Sequence, residues 1–203
     1  MKSVYNFVVT PKGERYNNTT KVDGKELILN TEIFNHQYSN RSAIVVSIPV
    51  IGDTDIKPGD EVIIHHNVFR RWHNVEGVEK NSRSYIDEDH YLVNEDQLYL
   101  YKRENKWIAP KGYCFVIPLK ASNKFNIESE KPLQGIIKYT DGTFDENELV
   151  GFTPFSKYEF VIDGERLYRV LSKFITIKYE YQGDEEKYNP SWAQSSGGAY
   201  KSS

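Results

Sequence analysis

The sequence predicts an all-β chain: two small β-barrels in tandem, followed by a flexible C-terminal tail. Three observations predict it. Short runs of Val, Ile, Tyr and Phe are separated by polar turn clusters along most of the chain, and no ten-residue window carries a convincing helical period. Aromatic residues, mostly Tyr, make up 14% of the chain and favour pleated strands. Finally, the runs repeat. The 203 residues suffice for two units of about 100 residues, each able to bury a core without disulfides or metals.

The expected strands follow in order. A run at 4–10 opens the chain, and a long polar connection returns at 43–50. Lys57-Pro58-Gly59-Asp60 suits a type II turn, because Pro fixes φ and Gly accepts a positive one. It leads into 61–66, and the runs 91–94 and 97–101 close the first copy. Pro110 and Gly112 break the pattern at the join. The second copy has runs at 113–119, 135–139, 149–153, 158–162, 166–171 and 174–181. Asp163-Gly164 between apolar alternations is a strong hairpin signal. In the last run Ile175, Ile177, Tyr179 and Tyr181 are expected on one face, with Thr176, Lys178 and Glu180 on the other.

Four matches in the same order carry the repeat. Tyr5-Asn6-Phe7-Val8-Val9-Thr10 pairs with Tyr113-Cys114-Phe115-Val116-Ile117-Pro118, and Ser42-Ala43-Ile44-Val45 with Gln134-Gly135-Ile136-Ile137. The strand entered from Gly59-Asp60 pairs with the one entered from Asn147-Glu148. Tyr91-Leu92-Val93 and Leu98-Tyr99-Leu100 pair with Tyr168-Arg169-Val170 and Ile175-Thr176-Ile177. The expected domains are 1–105, with a mobile loop at about 13–41, and 112–182. Residues 183–203 are polar and Gly/Ser-rich, which predicts the flexible tail. Tyr188, Trp192 and Tyr200 there would also suit a docking peptide.

Composition bounds the function. A net charge of −3 argues against a phosphate-tracking surface, so nucleic acid is not an expected partner, although Arg70, Arg71 and Trp72 cluster. Cys114 is the single cysteine; it lies in an apolar run and is read as a buried, inert thiol. No signal peptide and no membrane span is read, so the expected location is the cytoplasm, with no membrane partner. His65 and His66 are adjacent and, on a strand, would face opposite ways, so no metal site is expected. No phosphate loop, nucleophile elbow or other catalytic constellation occurs. The chain is therefore read as a binding protein without a cofactor rather than an enzyme.

The order of runs in residues 4–102 resembles the GroES-type co-chaperonin family. The residues that carry the resemblance are the opening strand Phe7-Val8-Val9-Thr10-Pro11-Lys12 and a long loop holding Leu27-Ile28-Leu29. The return strand Ala43-Ile44-Val45-Val46-Ser47-Ile48, the Pro58-Gly59-Asp60-Glu61-Val62 strand entry and a closing hairpin at 91–100 complete it. Residues 113–181 fit the same outline less fully. The segment between Val68 and Asp89 is longer than the family needs, and the second loop, 121–132, offers only Phe125 and Ile127. The resemblance, to a family with divergent bacteriophage members, implies a homo-oligomeric ring that caps an ATP-bound chaperonin. Leu27, Ile28 and Leu29 would enter an apolar groove on the chaperonin, a client would fold beneath the cap, and ATP would be hydrolysed by the chaperonin. The competing expectation is a virion or assembly component that reuses the same scaffold.

Overall fold

The computed structural model describes residues 2–13, 15, 19–22, 25–28, 41–121, 130–180 and 183–196. The chain divides into two compact units, Met1–Trp107 and Ile108–Ser203. Both are built from antiparallel strands, as the alternating apolar runs require.

The first unit holds β1 (Phe7–Pro11), β4 (Ser42–Ser47), β5 (Glu61–Ile64), β8 (Tyr91–Val93), β9 (Leu98–Arg103) and β10 (Lys106–Ile108) in one six-stranded sheet. Between β1 and β4 stand β2 (Thr19–Val22) and β3 (Lys25–Ile28); between β5 and β8 stand β6 (Arg71–His73) and β7 (Glu79–Asn81). Each of these pairs forms a two-stranded sheet of its own. The second unit holds β11 (Tyr113–Lys120), β12 (Glu130–Tyr139), β13 (Leu149–Phe152), β14 (Lys157–Ile162), β15 (Glu165–Leu171) and β16 (Ile175–Tyr179) in another six-stranded sheet, followed by α1 (Ser191–Ser196). The all-β expectation holds. The expectation of barrels is met only as far as these two open sheets, since neither strand order closes on itself.

The strand orders are β8-β1-β4-β5-β9-β10 and β14-β15-β11-β12-β13-β16. The run β8-β1-β4-β5-β9 is therefore repeated as β15-β11-β12-β13-β16. The irregularities repeat too. A bulge lies between Val8 and Val9 where β1 meets β4, and between Phe115 and Val116 where β11 meets β12. Another lies between Ile63 and Ile64 against β9, and between Gly151 and Phe152 against β16. A short 3₁₀ turn joins β8 to β9 at Glu95–Gln97 and β15 to β16 at Ser172–Phe174. At the entry to β5, Gly59 N–H donates to the Val45 carbonyl at 2.7 Å and Val45 N–H to the Asp60 carbonyl at 3.0 Å. Asn147 with Ile137, and Ile137 with Glu148, do the same at 2.8 and 2.9 Å. Gly59 (φ 92°) and Asn147 (φ 67°) share the left-handed backbone this entry needs.

These pairings set the register of the repeat. Pro11 corresponds to Pro118, Val9 to Val116 and Phe7 to Cys114, since they face Ala43/Gly135, Val45/Ile137 and Val93/Val170. The first match read from sequence is thus one residue out of step, which would put each side chain on the wrong face; the other matches keep their register. In the second unit Cys114, Val116, Ile137, Val150, Phe152, Tyr168, Val170 and Ile175 form one buried cluster. Their counterparts Phe7, Val9, Val45, Val62, Ile64, Tyr91, Val93 and Leu98 are all buried as well. The aromatic ring has changed place, Phe7 and Ile64 in one copy standing where the other has Cys114 and Phe152. Such a swap conserves core volume.

The last run departs from simple alternation. Ile175 joins the core, but the bulge places Ile177 opposite Gly151 and Tyr179 opposite Leu149, on the other face, where both are partly exposed. The sixth strands differ between units. Glu104 and Asn105 (φ 49° and 63°) turn β9 into β10, whereas Asp163 and Gly164 (φ 50° and 75°) turn β14 into β15. Both are left-handed hairpin turns that match strand twist.

Residues 183–196 do not follow the expected flexible tail. Lys187 bridges to Leu119, Ala193 is fully buried, and α1 forms behind Pro190. The polar composition concealed this because the segment binds mainly through hydrogen bonds and ion pairs, not through an apolar period.

Candidate partner-binding loops and their necks

Each unit sends out a loop between the first two strands of its repeated frame. In the first unit β1 ends at Pro11, and Gly13 turns out of the sheet with φ 81°. Lys12 N–H donates to the Ser42 carbonyl at 2.9 Å, so the two strands leave and re-enter side by side. Beyond this neck the chain forms the hairpin β2–β3, in which Thr19 pairs with Ile28 and Thr20 with Leu27. Of the expected docking triplet, Leu27 and Ile28 therefore lie on β3, and Leu29 lies outside the described residues. The sequence signal for this hairpin is Asp23-Gly24 between the two strands, the dipeptide that marks the hairpin at Asp163.

The neck is held by Arg15. Its side chain is only 9% exposed. Nε donates to the Phe69 carbonyl at 3.1 Å and Nη2 to Asn81 Oδ1 at 2.5 Å, while Nη1 lies 3.6 Å from a Glu88 carboxylate oxygen. The guanidinium also sits 5.2 Å from the ring centre of Tyr85 and 5.1 Å from that of Tyr91, within cation–π range. Phe69, Tyr85 and Tyr91 meet edge to face, at 4.8 and 5.7 Å. Burial pushes the Tyr91 hydroxyl up to about 12. All of Arg15's partners but Tyr91 come from residues 67–90, the segment longer than the resemblance accounts for. Ser82 fastens that segment internally, its hydroxyl donating to the Val68 carbonyl at 2.6 Å. The Arg70-Arg71-Trp72 cluster makes contacts within it: Arg70 lies over the Trp72 ring at 5.4 Å and Arg71 is 3.8 Å from Glu79.

The second loop leaves after Lys120 and returns at Glu130, which pairs with Lys120 across β11 and β12. Phe125 and Ile127, its expected contact residues, lie outside the described residues. Its neck is crossed by the C-terminal segment. Lys120 N–H donates to the Glu186 carbonyl and Tyr188 N–H to the Pro118 carbonyl, both at 2.8 Å. Lys120 Nζ reaches Glu186 at 2.8 Å and Lys131 Nζ reaches Glu185 at 2.6 Å, so adjacent carboxylates grip the outgoing and returning strands. Asn189 continues the strap, donating to the Gly164 carbonyl at 2.9 Å and accepting Arg166 N–H at 3.2 Å.

Beside this neck Glu130 accepts from Lys157 Nζ (2.6 Å), Arg166 Nη1 (2.9 Å) and the Tyr168 hydroxyl (2.5 Å). Burial works against its charge, but Lys157, Tyr168 and Arg166 together hold the carboxyl below its usual range. Burial, then the bond to Glu130, raises the Tyr168 hydroxyl well above its ordinary value. Arg166 lies 5.0, 5.6 and 5.9 Å from the ring centres of Tyr168, Tyr188 and Trp192. Tyr168 is the counterpart of Tyr91, so the same tyrosine in each copy receives a guanidinium at the root of a loop. The sequence offered one signal for this, the shared Tyr-x-Val of 91–93 and 168–170; nothing in it marked Arg15.

His65 and His66 lie past the end of β5, in a turn. The pleat does not separate them, and their rings stack at 4.2 Å. Cys114 is buried as expected, with Ser172 Oγ 3.4 Å from its sulfur, and burial raises its thiol. Among the described residues no three His, Cys, Asp or Glu side chains gather as a metal site, and no helix is long and apolar enough to cross a membrane.

A scan of protein-family models finds no match to the chain, and a search of curated proteins finds none either.

Proposed function

We propose that the chain is a co-chaperonin-like protein that caps an ATP-bound chaperonin ring, the two β units serving as GroES-like modules of a homo-oligomeric cap. The observation that carries this reading is the duplicated frame β8-β1-β4-β5-β9, with a long connection between its first two strands that holds an aliphatic run on a separate hairpin. Leu27, Ile28 and Leu29 are the docking residues, and the client folds in the chamber that the cap closes.

Magnitudes support a multivalent mechanism. Burying three aliphatic side chains yields about 4 to 9 kcal/mol. Ordering about six loop residues costs about 6 to 12 kcal/mol. One loop alone then binds weakly, and several loops on one ring act together through effective concentration. A hairpin already paired in the free chain lowers the ordering cost and brings the two quantities closer.

The test is Ile28→Asp. The parent protein is expected to co-sediment with a chaperonin–ATP complex and the variant to remain in the supernatant; equal sedimentation ends the proposal. The pairing of β2 with β3 within the chain also suits the second reading, a structural component of a particle that uses the hairpin as a fixed contact. Electron microscopy of the purified protein separates the two: closed rings favour the cap, and subunits that assemble only within a larger particle favour the structural role.

A further inference from the structure

We propose that Arg15 is the positioning residue of the β2–β3 hairpin, fixing how far from its own unit the docking strand can stand. The inference rests on the docking role of that hairpin proposed above.

A lone two-stranded hairpin is marginal in water, so its place depends on where its ends are tied. An extended chain spans at most about 3.5 Å per residue. Thirteen peptide steps separate Ile28 from the neck residue Arg41, an upper bound of about 45 Å, so the tighter covalent limit is the one set by the outgoing leg. The outgoing leg is short. Arg15 stands four residues before Thr19, the first residue of β2, which keeps that end within about 14 Å of the clamp. Without the clamp, the nearest tie is Lys12, held to Ser42 at 2.9 Å. Thr19 is then seven steps from its tie and the reach grows to about 25 Å. The accessible volume rises about fivefold, and the effective concentration of the docking strand falls by the same factor for every loop engaged.

Arg15 is built for this task. Its carbonyl and amide acceptors, its carboxylate and its two aromatic faces hold the guanidinium in one plane, so a lysine could satisfy only part of the set. All the partners but Tyr91 come from 67–90, where the second unit has β14 instead, and this segment grips the neck rather than extending the six-stranded sheet. The second unit brings Arg166 to the equivalent tyrosine and fastens its neck by the C-terminal segment. Two unrelated segments thus perform the same job at equivalent places.

The experiment compares Arg15→Ala with a chain in which Arg15 is kept and two glycines follow it. Binding to a chaperonin–ATP complex and hydrogen exchange of the amides of 19–28, 42–47 and 61–64 are measured on both. Arg15→Ala is expected to weaken binding at least fivefold and to speed exchange at 19–28 while 42–47 and 61–64 stay protected. The glycine insertion leaves the clamp intact and is expected to weaken binding too, which a merely stabilising arginine would not cause. Binding at parental strength by both variants overturns the inference. Should the parent protein itself fail to bind, the capping proposal falls; exchange then decides alone, faster exchange at 19–28 in Arg15→Ala upholding the clamp and unchanged exchange overturning it.

Discussion

At the scale of single residues, the duplicated frame shows how one position can make opposite demands. Ala43 and Gly135 occupy equivalent places, facing Pro11 and Pro118. In the first unit a methyl group is accommodated and wholly buried. In the second, a Cβ on Gly135 would stand 2.8 Å from the Ile117 carbonyl oxygen and 3.1 Å from Val116 Cβ. The near atom is backbone and cannot swing aside. Replacing Gly by Ala ordinarily favours a strand by about 0.5–1 kcal/mol, but overpacking costs about 1–3 kcal/mol, so the clash wins. Gly135→Ala is expected to lower the urea midpoint of the second unit; a midpoint at or above the parental value would refute the close approach. Tyr91 and Tyr168 illustrate what sequence can reveal at this scale. Their equivalence was visible in a repeated Tyr-x-Val, whereas their partners Arg15 and Arg166 were not. Arg15 meets Asn81 across 66 residues, and no local pattern encodes such a contact.

Elements were legible where a period or a turn dipeptide marks them. Asp163-Gly164 and Lys57-Pro58-Gly59-Asp60 sit where their chemistry places them. The hairpins β2–β3 and β6–β7 escaped, the first despite its Asp23-Gly24, because their strands are short and largely polar, so no apolar alternation announces them. The one-residue slip in matching β1 to β11 has a different cause: the letters align Phe7 with Phe115, whereas the pairings set Phe7 opposite Val93 and Cys114 opposite Val170, so the aromatic residue stands one place further along in the second copy. The C-terminal segment was misread for a third reason, since its order comes from partners far along the chain. It forms backbone bonds at Lys120 and Tyr188 and side-chain bonds at Asn189, each worth about 0.5–1.5 kcal/mol, while its ion pairs, solvated at Glu186 and half-buried at Glu185, add less. Allowing for the entropy of ordering the segment, removal of residues 183–203 is expected to destabilise the second unit by about 1–3 kcal/mol. The Lys120 amide should then exchange faster, with the β13–β16 pairing unaffected. Unchanged protection of that amide would show that Glu186 does not hold the neck.

For the whole molecule, each unit has the parts of an independent domain: its own sheet, its own buried cluster and about 100 residues to bury it. Residues 1–109 and 110–203, produced separately, are each expected to unfold in one cooperative transition with β-type circular dichroism. A half that stays unstructured would show that its frame needs the other to form. The repeat itself was legible because six of the eight equivalent core positions recur in step, the two on the first strand having slipped by one residue. What could not be read was the closure of the sheets, which no local pattern specifies, and the two fastenings of the loops.

Those fastenings have a consequence for how the molecule can change. Both belong to segments outside the duplicated frame, 67–90 in one unit and 183–196 in the other. The frame sets the fold, and the fastening sets the mount. A new tip can therefore be carried on an old socket, and a single gene can present two different tips from one repeated body.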